Sequence, residues 1–66
     1  MQIVLNGNQH ELAAEMSLAQ LVDSLGVDRR LVAVAHNGEV APRDTYEQIT
    51  LREGDRVEVV RMVGGG

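Results

Sequence analysis

Residues 17–26 read SLAQLVDSLG, and this stretch holds the start, the apolar stripe and the stop of one short helix. Ser17 is placed to accept from the first free amides of a helix, and Gln20, three residues on, completes an S-x-x-Q capping box. Met16 and Leu21 flank that cap at the two positions where apolar side chains close over it as a staple. Leu18, Leu21, Val22 and Leu25 recur at i, i+3, i+4 and i+7, which is one face of a 3.6-residue period. Gly26 follows, where a helix end wants left-handed backbone. The stretch predicts one helix with a single buried side.

On both sides of it the period changes to two. MQIVL at residues 1–5 puts Met1, Ile3 and Leu5 on one face of a strand. Asn6-Gly7 then accepts the positive φ angles of a tight hairpin turn, and QHEL returns as a second strand. The same turn chemistry recurs at Asn37-Gly38, between LVAVAH and EVA. Pro42 interrupts that second hairpin, so the strand after Gly38 is short or lies at an edge. RDTYEQIT has no sustained period and predicts a helical turn or loop. REGDR is a turn, and VEVVRM is a last strand rich in β-branched residues. Val57 and Val59 share one face of it; Glu58, Val60 and Met62 share the other. One helix against a mixed sheet of four to five strands is a two-layer α+β domain. The expected boundaries are residues 1–63 for the domain and 64–66 for a flexible glycine tail, since terminal glycines have nothing to bury and much backbone entropy to lose.

The totals restrict the chemistry. A chain of 66 residues buries only about 60% of its unfolded surface, so the core is small. The opening MQIVLNGNQH has no basic lead, and no stretch approaches the roughly 18 apolar residues of a membrane span. The expected location is the cytoplasm. With no cysteine there is no disulfide, no thiolate metal site and no Cys nucleophile. The net charge is −4, every basic residue is an arginine, and Tyr46 is the one aromatic, which argues against nucleic acid as a partner. Ser17 is taken by the helix cap, the carboxylates have surface spacing, and His10 and His36 read as ordinary surface histidines beside turns. GGG is no phosphate loop, because no helix follows it. Glycines at an end fray without any role. They also fit a narrow channel closed to residues with a Cβ, and Gly66 carries an unhindered carboxylate there.

The segments MQIVLNG, LAQLVDSLG and VAVAHNGEVAPRDTYEQITLREGDRVEVVRMVGGG cover essentially the whole chain. In this order they resemble the ThiS family, the sulfur carriers of thiazole formation in thiamine biosynthesis, within the ubiquitin-like β-grasp fold. The shared features are the Asn-containing turn, the Pro42-Arg43 step, the Gly-Asp turn, the valine-rich last strand and the terminal Gly-Gly. Ala41 stands where the family more often has Val, and Gly64 adds a third glycine.

The resemblance implies a carrier without an active site or bound cofactor of its own. A separate ubiquitin-activating-like adenylyltransferase, using ATP and Mg, would adenylate the Gly66 carboxylate. A persulfide donor would then leave a thiocarboxylate, and thiazole synthase would take the sulfur. Gly64 and Gly65 would thread the partner sites. Val4, Val60 and Met62 are the expected apolar partner surface, with Arg61 and Arg43 as polar contacts. The lack of cysteine and lysine agrees with an activated end that must not react with its own chain. The small subunit of molybdopterin synthase and a ubiquitin-like modifier joined through Gly66 are the alternatives, although the Asn-Gly start and APRD point away from the former.

Overall fold

The computed structural model describes residues 1–62. The expected boundary after residue 63 and the tail residues Gly64, Gly65 and Gly66 lie outside the described residues. The elements are β1 (Gln2–Leu5), β2 (Asn8–Glu11), α1 (Leu18–Ser24), β3 (Val32–His36), β4 (Glu39–Ala41) and β5 (Arg56–Arg61). Two 3₁₀ turns, Arg29–Leu31 and Arg43–Gln48, lie before β3 and after β4.

Both hairpins form because Asn-Gly accepts left-handed backbone at two successive residues. Asn6 and Gly7 have φ of 50° and 83°, and Asn37 and Gly38 have 51° and 87°. That is the twist a two-residue hairpin needs. The strand order is β2-β1-β5-β3-β4, so the last strand in the sequence occupies the centre. It runs parallel to β1 and antiparallel to β3, which makes the sheet mixed. This is the expected β-grasp arrangement.

Helix α1 starts as its sequence predicts. The Gln20 N–H donates to Ser17 Oγ at 3.1 Å, and the Ser17 N–H donates to Gln20 Oε1 at 2.9 Å. The helix start is tied to the segment leading into β5: the Leu18 N–H donates to the Ile49 carbonyl at 2.8 Å and the Leu51 N–H to the Met16 carbonyl at 3.0 Å. Leu18, Leu21 and Val22 bury their stripe against Ile3, Val34, Leu51 and Val57, and Tyr46 from the second 3₁₀ turn fills the same core. The Arg29 guanidinium stands 5.8 Å from the Tyr46 ring centroid and bonds Asp23 and Glu47, which closes this side over.

Leu31 departs from the strand reading. It ends a 3₁₀ turn and is 57% exposed. The cause is Asp28, whose carboxylate accepts from the Arg30 amide at 2.9 Å and from its guanidinium at 2.8 Å, capping the turn. Those two interactions hold the Asp28 carboxyl down to about 2. His36 is no ordinary surface histidine either, and its partner is described below.

With only seven residues, α1 depends on its cap more than a long helix would. Ser17→Ala is expected to lower stability by about 1 kcal/mol in urea unfolding, with native chemical shifts retained in the sheet.

Candidate functional site: the bare sheet face and the end of the last strand

The alternation along β5 separates two faces. Val57 is buried and Val59 half-buried toward the helix, while Arg56, Glu58 and Val60 are exposed on the other side. Register then decides what surrounds each outer residue. Val60 lies beside Ala33, and Glu58 beside Ala35, with Val40 next in the row on β4. Two alanines between larger side chains leave a shallow groove of about 160 Å³, lined mainly by Ala33, Ala35, Val40, Glu58 and Val60. Val40 is 76% exposed and Val60 56%. Met62 continues the row past β5, its N–H donating to the Leu31 carbonyl at 2.9 Å, and both side chains are exposed.

The expected partner residues divide accordingly. Val60 and Met62 are exposed along one apolar row. Val4 is half-buried beside Arg56 and lines a separate hollow of about 130 Å³ with Gly7, Arg56, Val57 and Glu58. Arg61 alternates onto the Val57 and Val59 side of the strand. Arg43 opens the second 3₁₀ turn, where its charge acts on Asp28 and Tyr46, and it lines neither hollow. Val40, Leu31, Ala33 and Ala35 were missed in the sequence. The signal for Leu31, Ala33 and Ala35 was the unbroken apolar run LVAVA, which suits a strand covered on both faces; Val40 lies outside that run, in EVA.

β5 is gripped at its start and at Val59 by the asparagines of the hairpin turns. At its start the Arg56 N–H donates to Asn37 Oδ1 at 2.9 Å, and the Asn37 N–H donates back to the Arg56 carbonyl at 2.9 Å. Further along, the Val59 N–H donates to Asn6 Oδ1 at 2.8 Å, while Asn6 Nδ2 donates to the Val59 carbonyl at 3.3 Å. Asp55, just ahead of β5, ties its own turn to the second hairpin. Its Oδ2 accepts from His36 Nε2 at 2.9 Å and from the Arg52 amide at 3.0 Å, and its Oδ1 accepts from Asn37 Nδ2 at 3.3 Å. Burial pushes the Asp55 carboxyl up, but the bonds from His36, Arg52 and Asn37 outweigh it and hold the group below its ordinary 3.8. Among the described residues no three His, Asp or Glu side chains gather as metal ligands. No helix among them is long and apolar enough to cross a membrane.

The sequence profile of the ThiS family matches residues 3–66. The chain belongs to the ThiS family. It is 30% identical over its whole length to the thiamine biosynthesis protein ThiS of Geobacter metallireducens, whose crystal structure superposes with a TM-score of 0.87 over 100% of both chains. It is 30% identical to the sulfur carrier protein ThiS of Bacillus subtilis, over 94% of this chain and 96% of that protein. It is also 41% identical over its full length to a thiazole synthase of Paramagnetospirillum magneticum, of which it spans only 20%. The Geobacter protein and this chain thus share the β-grasp fold.

The Asp55 linkage has a defined sign. A carboxyl lowered in the folded chain contributes stability at pH above its unfolded value, and that contribution is lost as pH falls through the lowered value. Urea midpoints at about pH 7 and about pH 3 should therefore differ less for Asp55→Asn than for the unaltered chain. Glu11 and Asp28, also lowered, keep their share in both.

Proposed function

We propose that this ThiS-family chain is a sulfur carrier of thiamine biosynthesis, with Gly66 as the carrying residue. The observation that supports it best is a family match running through residue 66, the terminal glycines included. In this reading a separate adenylyltransferase binds ATP with Mg. A Gly66 carboxylate oxygen attacks the α-phosphorus, pyrophosphate leaves, and a mixed acyl–phosphate anhydride replaces an unreactive carboxylate. The terminal sulfur of a donor persulfide then attacks the acyl carbon and AMP leaves. A second thiol on the donor cleaves the resulting S–S bond, becoming part of a disulfide and freeing the thiocarboxylate. Thiazole synthase consumes that sulfur; the likeness to proteins of that name supports it as a partner. Such a carrier works in the cytoplasm, where ATP and reduced sulfur are both available.

The division of tasks follows from chemistry. Gly64 and Gly65 carry no Cβ, so a narrow channel admits them. The row of Val40, Val60 and Met62 supplies the docking face, because an apolar strip on an otherwise charged small domain is what a partner can desolvate. Glu58, at the edge of the groove, adds a charge that selects among partners.

Intact mass after incubation with ATP, an adenylyltransferase and a persulfide donor tests this. The expected result is a gain equal to sulfur replacing oxygen, located at Gly66. Val60→Asp should charge at least about tenfold more slowly while remaining folded, as a charge buried in a contact costs several kcal/mol. An unchanged mass, with an enzyme shown to charge another ThiS protein, would refute the reading.

A further inference from the structure

β5 is held on both flanks only as far as Val59. On the β3 side its pairing continues to Met62 and Leu31. On the β1 side the last main-chain bond runs from the Asn6 N–H to the Val57 carbonyl, at 2.9 Å. There β1 turns away, and the place of the strand residue that should face Val59 is taken by the Asn6 side chain. A carboxamide offers the same donor and acceptor pair as a peptide group, so one side chain serves Val59 as a strand neighbour would. Among the described residues, no bond from the β1 side reaches β5 beyond this point.

We propose that Asn6 is a positioning residue for the chemistry at Gly66. This rests on the carrier reading above. The Asn6 amide sets the last residue of β5 that is braced from both sides. It thereby fixes the direction in which the chain leaves the body. A reacting group carried on a fixed base meets a partner's active centre in a defined geometry, whereas a base that frays two residues earlier spreads that geometry. Without the amide, two-sided bracing would end at Val57, and Val59 would keep neither bond on the β1 side.

The test uses two glycine variants of the full chain. Asn6→Gly preserves the left-handed turn residue (φ 50°) and removes only the amide. Asn37→Gly does the same at the opposite end of β5, where Asn37 Oδ1 accepts from Arg56, and so controls for lost stability. Charging rates with an adenylyltransferase and persulfide donor are read by intact mass, and amide exchange at Val59 by NMR. Asn6→Gly should show faster exchange at Val59, a kcat for charging lowered about tenfold or more, and a KM near that of the unaltered chain. Asn37→Gly should charge normally. Asn6→Asp, which keeps the acceptor for the Val59 N–H and loses the donor, should fall between. Normal kcat in Asn6→Gly despite an exposed Val59 amide would overturn the positioning role and leave the carrier reading intact. Equal losses in both glycine variants would also overturn it, as a stability effect alone. An unaltered chain that is never charged refutes the carrier reading and the positioning role with it.

Discussion

The structure depends on β5, the last strand to be made, entering between two hairpins that do not pair with each other. β1 and β3 each bond to β5 and not to one another, so neither hairpin has a sheet to belong to until it arrives. The turn asparagines complete that insertion. Each spends its backbone on a left-handed turn and its side chain on β5, Asn37 at Arg56 and Asn6 at Val59. A two-residue turn thereby both reverses its own hairpin and anchors the strand that joins the two hairpins. The helix contributes to the same closure, since its cap region bonds to Ile49 and Leu51, on the way into β5.

From that constraint the proposed carrier role follows with few further assumptions. A central strand is the most firmly held part of a small sheet, with a neighbour on each side and the helix on one face. Braced from both sides as far as Val59 and by β3 beyond it, the strand is a fixed base for whatever chain follows. One helix covers only one face, so the other must be solvated or docked. Here it carries Val40, Val60 and Met62 around two alanines. In the proposed role, recognition belongs to that face and chemistry to the glycines, and β5 connects the two.

What could be read from the sequence was what is decided locally. The capping box acts across three residues, the apolar stripe across two turns, and the Asn-Gly turns across two residues; each appears in the structure as its local chemistry requires. The outward alternation of Glu58, Val60 and Met62 was likewise legible, because Val57 and Val59 form the more apolar alternate set. Strand order was legible only through the resemblance to the ThiS family, since pairing of β5 with β1 spans most of the chain. The second duties of Asn6 and Asn37, and the His36–Asp55 pair, join residues distant in sequence, so turn chemistry revealed only half of each. Leu31 was misread because an Asp28 cap overrides an apolar alternation that by itself favours a strand.

The most direct test of this division between face and tail is a competition measurement. A chain ending at Val63, with the face intact and the glycines removed, is added to a reaction that charges the full chain. The truncated chain should inhibit competitively, with an inhibition constant close to the KM of the full chain, and Val60→Asp in the truncated chain should relieve the inhibition. A truncated chain that does not inhibit would place recognition in the glycines themselves and contradict the account.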